Sequence, residues 1–134
     1  MKYICLGYMD ETKWDTMTEK EKQNFMDTCF EYDHQLHKNG HLQGGEGLQS
    51  SRNAATVRYS GGKVSVTDGP FIETKEQIGG IMILEARDLN HAIQLMSNHP
   101  SVNMGGSWEI RPAEDISELI AESERRIAES KNKQ

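Results

Sequence analysis

Cysteine is almost missing from the 134-residue chain: there are two, Cys5 and Cys29. Two thiols in apolar contexts cannot build a disulfide scaffold, and they read as reduced, buried residues of a cytoplasmic protein. Long apolar runs are missing too. No stretch approaches the roughly 20 residues that cross a bilayer. The opening Met1–Tyr8 segment has neither the apolar core nor the small-residue cleavage site of a signal peptide. Positive charge is outnumbered, with 15 Lys and Arg against 21 Asp and Glu and a formal net charge of -6. The basic residues are scattered, so no surface stands ready to displace counterions, and direct nucleic-acid binding is not expected. Gly44-Gly45-Glu46-Gly47 lacks the Lys-Ser/Thr of a phosphate loop and opens no helix. His34, His37 and His41 sit close in sequence, but Gly40 breaks the helix before His41, and no zincin-type motif accompanies them. Neither a metal nor a cofactor is expected.

What is present is the pattern of one modest α+β domain. Residues 3–8 are apolar, aromatic and β-branched, and predict a buried first strand. A polar loop is expected over Asp10–Asp15. Thr18 and Glu21 form a capping box opening a helix over roughly 19–39, with Phe25, Met26, Cys29, Tyr32 and Leu36 at helical spacing and Gly40 as its stop. Leu42–Leu48 predicts a short irregular strand. Ala55–Tyr59 and Lys63–Thr67 flank Ser60-Gly61-Gly62 as a hairpin. Gly80–Ala86 reads as a central strand, apolar on both faces. Asp88 or Asn90 caps a second helix, stopped at Asn98-His99-Pro100. Trp108–Arg111 alternates as a last strand closed by Pro112. Beyond it, Asp115–Glu118 starts a third, amphipathic helix whose end over Ser130–Gln134 is expected to fray. The division is thus a domain over 1–112 and a C-terminal helix and tail over 113–134. Strand–helix–strands–helix–strand is a ferredoxin-like order, with two helices on one face of an antiparallel sheet. Tyr8, Val57, Val66 and Trp108 are expected to form one apolar patch on the other face, covered in a face-to-face homodimer.

The run Asp68-Gly69-Pro70-Phe71-Ile72-Glu73-Thr74-Lys75-Glu76 resembles the signature of the DGPF proteins, a branch of the YCII-related family. Gly40 through Gly45-Glu46-Gly47-Leu48, then Gly79-Gly80 and Glu109-Ile110-Arg111-Pro112, agree with it. The resemblance implies a dimeric ferredoxin-like fold of the α+β barrel type. For function it implies a small-molecule-binding protein with an acid–base isomerase or lyase activity of the wider superfamily. The alternative is a non-enzymatic regulatory module tied to an extracytoplasmic-function sigma factor. In relatives, a histidine of the first helix and an aspartate before the proline ending the second form the proposed acid–base couple. Counting back from Gly40, those positions fall on Cys29 and His99 here, a thiol and an imidazole.

The candidate catalytic residues are therefore Asp68, Glu73, Lys75 and His99. Asp68 either caps its own turn or acts as a base desolvated in a pocket. Glu73 and Lys75 share a face if extended, as base and oxyanion stabiliser, or else pair locally on a solvated loop. Glu46, flanked by glycines, is a candidate ligand-binding residue, and Arg58 and Arg111 could balance these carboxylates or pair across strands.

Overall fold

The computed structural model describes residues 1–133. Strand β1 (Lys2–Asp10) is followed by a short helix α1 (Glu11–Thr16) and the long helix α2 (Glu19–Lys38). Strand β2 (Leu42–Gly47) leads through a single 3₁₀ turn into the hairpin β3 (Ala55–Ser60) and β4 (Lys63–Asp68). Then come β5 (Glu76–Glu85), α3 (Leu89–Ser97), the one-turn α4 (Pro100–Asn103), β6 (Ser107–Pro112) and α5 (Ser117–Asn132). Among the described residues four strands form one antiparallel sheet in the order β2-β5-β1-β6, and β3 and β4 pair only with each other. This is an α+β, ferredoxin-like fold with a hairpin inserted between its second and third sheet strands. Among the described residues no helix is long and apolar enough to cross a membrane.

The polar segment after β1 is helical rather than a loop. Asp10 accepts from the Thr12 amide (3.0 Å) and hydroxyl (2.6 Å), which caps α1. The capping box at α2 is present in both directions, Thr18 with the Glu21 amide and Glu21 with the Thr18 amide. Asp88 caps α3 through the His91 amide at 2.9 Å. At α5 the N-cap is Ile116, which offers no side-chain bond, and Asp115 just before it accepts from the Ser117 amide at 3.0 Å. That helix continues to Asn132, past the expected start of fraying; Gln134 lies outside the described residues.

The pleat divides β1 between two faces. Tyr3, Cys5 and Gly7 turn to the helices, while Ile4, Leu6 and Tyr8 turn away and are only half-buried. Register stacks the helix-facing residues in rows across the sheet. The first row joins Leu42, Leu84 and Tyr3; the second joins Gly45, Met82, Cys5 and Ile110. Leu36 of α2 and Ala92 and Met96 of α3 close over these rows to make the core. Burying a side chain such as Leu84 contributes about 1.5–3 kcal/mol.

The expected patch of Tyr8, Val57, Val66 and Trp108 is not one surface. Trp108 pairs with Gly7 on the helix side of the sheet, and Val57 and Val66 belong to the separate hairpin. Period-two alternation places residues on faces but does not say which strands share a sheet.

Candidate functional site

The third row across the sheet is Gly47, Gly80, Gly7 and Trp108. Three neighbouring strands thus present no side chain at the same level, directly under the N-terminal half of α2. Helix and sheet cannot meet there, and a cavity of about 640 Å³ opens between them. That size suits a small organic ligand. Its walls are mostly apolar, with Trp14, Phe25, Cys29, Phe30 and Trp108 among them. At Gly7 an added Cβ would lie 2.8 Å from the Trp108 ring, so only glycine lets the indole lie flat on β1.

One polar chain crosses this apolar space. The Trp108 indole N–H donates to Ser101 Oγ at 2.9 Å. Ser101 Oγ lies 2.7 Å from His99 Nδ1, and the Ser101 amide also points at that nitrogen, at 3.2 Å. His99 Nε2 is 2.9 Å from Asp33 Oδ1. These contacts fix a direction. The amide can only donate, so Nδ1 accepts; Nε2 then carries the ring proton and gives it to Asp33. Serine, already accepting from tryptophan, gives its own proton to Nδ1.

Local sequence explains the placement. Pro100 starts α4, His99 is its N-cap, and Ser101 lies in its first turn. Asp33 projects from α2 one turn after Cys29, on the stripe that faces the sheet. His99 is sealed, with 4% of its side chain exposed, whereas Asp33 keeps 28%. Among the described residues nothing donates to Asp33 Oδ2. The carboxylate is therefore the accessible end of the chain, and the imidazole holds it in place.

Cys29 borders the same cavity, but it is not the partner of His99, because both ring nitrogens are taken by Asp33 and Ser101. Burial, and then the nearby Asp33 charge, push its thiol up to about 11. Spacing from Gly40 pointed one helical turn too early. The missed signal was an aspartate inside the apolar stripe of α2.

The other candidates are scattered. Asp68 ends β4, exposed, before Gly69 (φ 98°), whose amide donates to the Ala54 carbonyl at 2.7 Å. Glu73 is exposed on the following loop. Lys75 lines a shallow depression with Asp10, Lys13 and Glu76 that adjoins the cavity through Tyr8, Asp10 and Lys13. Hydrogen bonds from Thr12, with smaller help from Lys75 and Lys13, hold the Asp10 carboxyl below its usual range. Glu46 borders the cavity, but the pleat sets it opposite Ile81, on the face away from Gly45 and Gly47. Arg58 stacks on Phe71 at 5.2 Å, and Arg111 pairs with Glu109 at 2.5 Å. Thus His99 lies at the cavity and Lys75 beside it, while Asp68 and Glu73 do not join them. Among the described residues no group of three His, Cys, Asp or Glu is placed to hold a metal ion.

A family model described as a YCII-related domain matches residues 1–117. A protein of Rhizobium meliloti (strain 1021), described as uncharacterised, is 32% identical over 113 residues, covering 84% of this chain and 91% of that protein.

Proposed function

This chain belongs to the YCII-related family, and from the geometry of its cavity we propose that it binds a small organic molecule and moves a proton on it. The observation that carries this reading is the half-open Asp33 carboxylate, held by buried His99 in a mostly apolar cavity. In this proposal Asp33 is the proton acceptor, and His99 and Ser101 are positioning residues. A proton taken from one carbon by Oδ2 and returned to another completes an isomerisation; loss of a β-leaving group after the same abstraction completes an elimination. Neither requires a cofactor. Lys75 is the proposed source of positive potential at the cavity's edge, with Asp68 and Glu73 serving the turn.

Proton exchange into cyclic carbonyl compounds in D₂O, followed by NMR, tests the reading. A positioned base supplies about 10²–10⁴-fold in rate. Asp33→Asn is expected to lose at least 100-fold of any exchange the native protein catalyses, and Ser101→Ala less. Exchange that survives Asp33→Asn unchanged would remove the proposal.

The dimer is proposed on separate grounds. Val57 pairs with Val66 and Tyr59 with Val64, so all four share one hairpin face, and each is at least 63% exposed. A two-stranded hairpin alone is marginal. A second copy of the chain, applying the same face by two-fold symmetry, is the proposed cover. A regulatory module working through a different protein is the competing reading of that face.

A further inference from the structure

The glycine row divides into two kinds of position. Gly7 is required by the Trp108 ring that lies on it. Gly47 and Gly80 are not required by the protein. Among the described residues a Cβ on Gly47 would meet nothing within 4 Å, and one on Gly80 would make only an ordinary contact, 3.4 Å from the Glu46 carbonyl oxygen. Neither has a positive φ. Glycine weakens a strand interior, so a free choice would favour a residue with a side chain. The bareness is meaningful if something else occupies the space.

Gly47 and Gly80 are direct partners on adjacent strands, about 4.8 Å apart, which is ring-sized. The patch is bounded by the Trp108 ring on the β1 side and roofed by Phe25 and Cys29 of α2. Bare backbone gives a flat floor, and a flat floor makes its best contact with a flat ligand at about 3.5–4.0 Å. Asp33, a half-open carboxylate of the cavity wall, favours a ligand that donates a hydrogen bond to it. Building on the small-molecule reading above, we infer that the cavity selects a planar, unsaturated ring bearing a hydroxyl or similarly acidic proton, laid flat on Gly47 and Gly80.

The test compares 2-naphthol with decahydro-2-naphthol, which has the same skeleton and hydroxyl but a puckered, thicker ring. Binding is read by amide NMR titration of the native chain, Gly47→Ala, Gly80→Ala and the double variant. The native chain is expected to bind the flat probe at least tenfold tighter, with ring-current shifts at the Gly47 and Gly80 amides. The alanine variants are expected to melt no lower than the native protein and to lose at least tenfold in affinity for 2-naphthol. Equal affinity for the two probes, or undiminished 2-naphthol binding in the folded double variant, overturns the planar-ring inference. If both probes bind equally and Asp33→Asn weakens both, the small-molecule reading stands and only the planarity fails. If neither probe binds, both fall.

Discussion

Cys29 shows how the site separates reactivity from proximity. Its thiol shares a cavity with a histidine, which elsewhere makes an activated nucleophile. Here burial and the Asp33 charge raise the thiol to about 11. Alkylation by iodoacetamide is therefore expected to stay slow from pH 7 to 9 and to climb only toward pH 11; a rate already levelling near pH 8 would contradict the assignment. A folded chain that keeps this proton, and that of Cys5, also raised to about 11, binds more protons than an unfolded chain whose thiols titrate near their ordinary 9.0. Stability is unaffected below that unfolded value and falls as pH rises from it toward 11.

At the scale of elements, β2 is held against β5 by a contact only glycine permits. A Cβ on Gly45 would sit 2.6 Å from the Ile81 carbonyl oxygen, a main-chain atom that cannot swing aside. Gly45→Ala is expected to cost roughly 1–3 kcal/mol, the usual penalty of overpacking, measured as a lowered denaturation midpoint. Gly47→Ala, two residues along on the same face, is expected to cost nothing, and that contrast is the sharper check. Such distinctions are invisible in the sequence, where Gly44, Gly45 and Gly47 look alike. The elements themselves were legible: the Thr18 and Glu21 box marked α2, Ser60-Gly61-Gly62 marked the hairpin, an apolar β-branched run marked β1, and alternation marked β6. Less was legible of the site. His99 stood out before Pro100, but its partner lies 66 residues away, and Asp33 resembles any acidic residue of a solvated helix until the sheet is placed beneath it. The signature turn at Asp68 was conspicuous because turn chemistry is local; a cavity made by rows of residues from separate strands is not.

For the whole molecule, the proposed dimer makes the hairpin's apolar face and the native mass inseparable. A charge placed at its centre, Val66→Asp, is expected to yield a monomer by native mass spectrometry or light scattering, while the core of the four-stranded sheet stays folded by circular dichroism. A native chain that is already monomeric at micromolar concentration would end the argument, and recovery of a different protein on that face would favour the regulatory reading. The glycine row carries a consequence for how this molecule can change. Most binding sites are tuned by exchanging the side chains beneath the ligand, but Gly47 and Gly80 offer none to exchange. Any substitution there can only raise the floor and shrink the space. New preferences must instead be acquired from the roof and the rim, through Phe25, Phe30 and the residues around Asp33, so divergence in what is bound should be written along α2 rather than across the sheet.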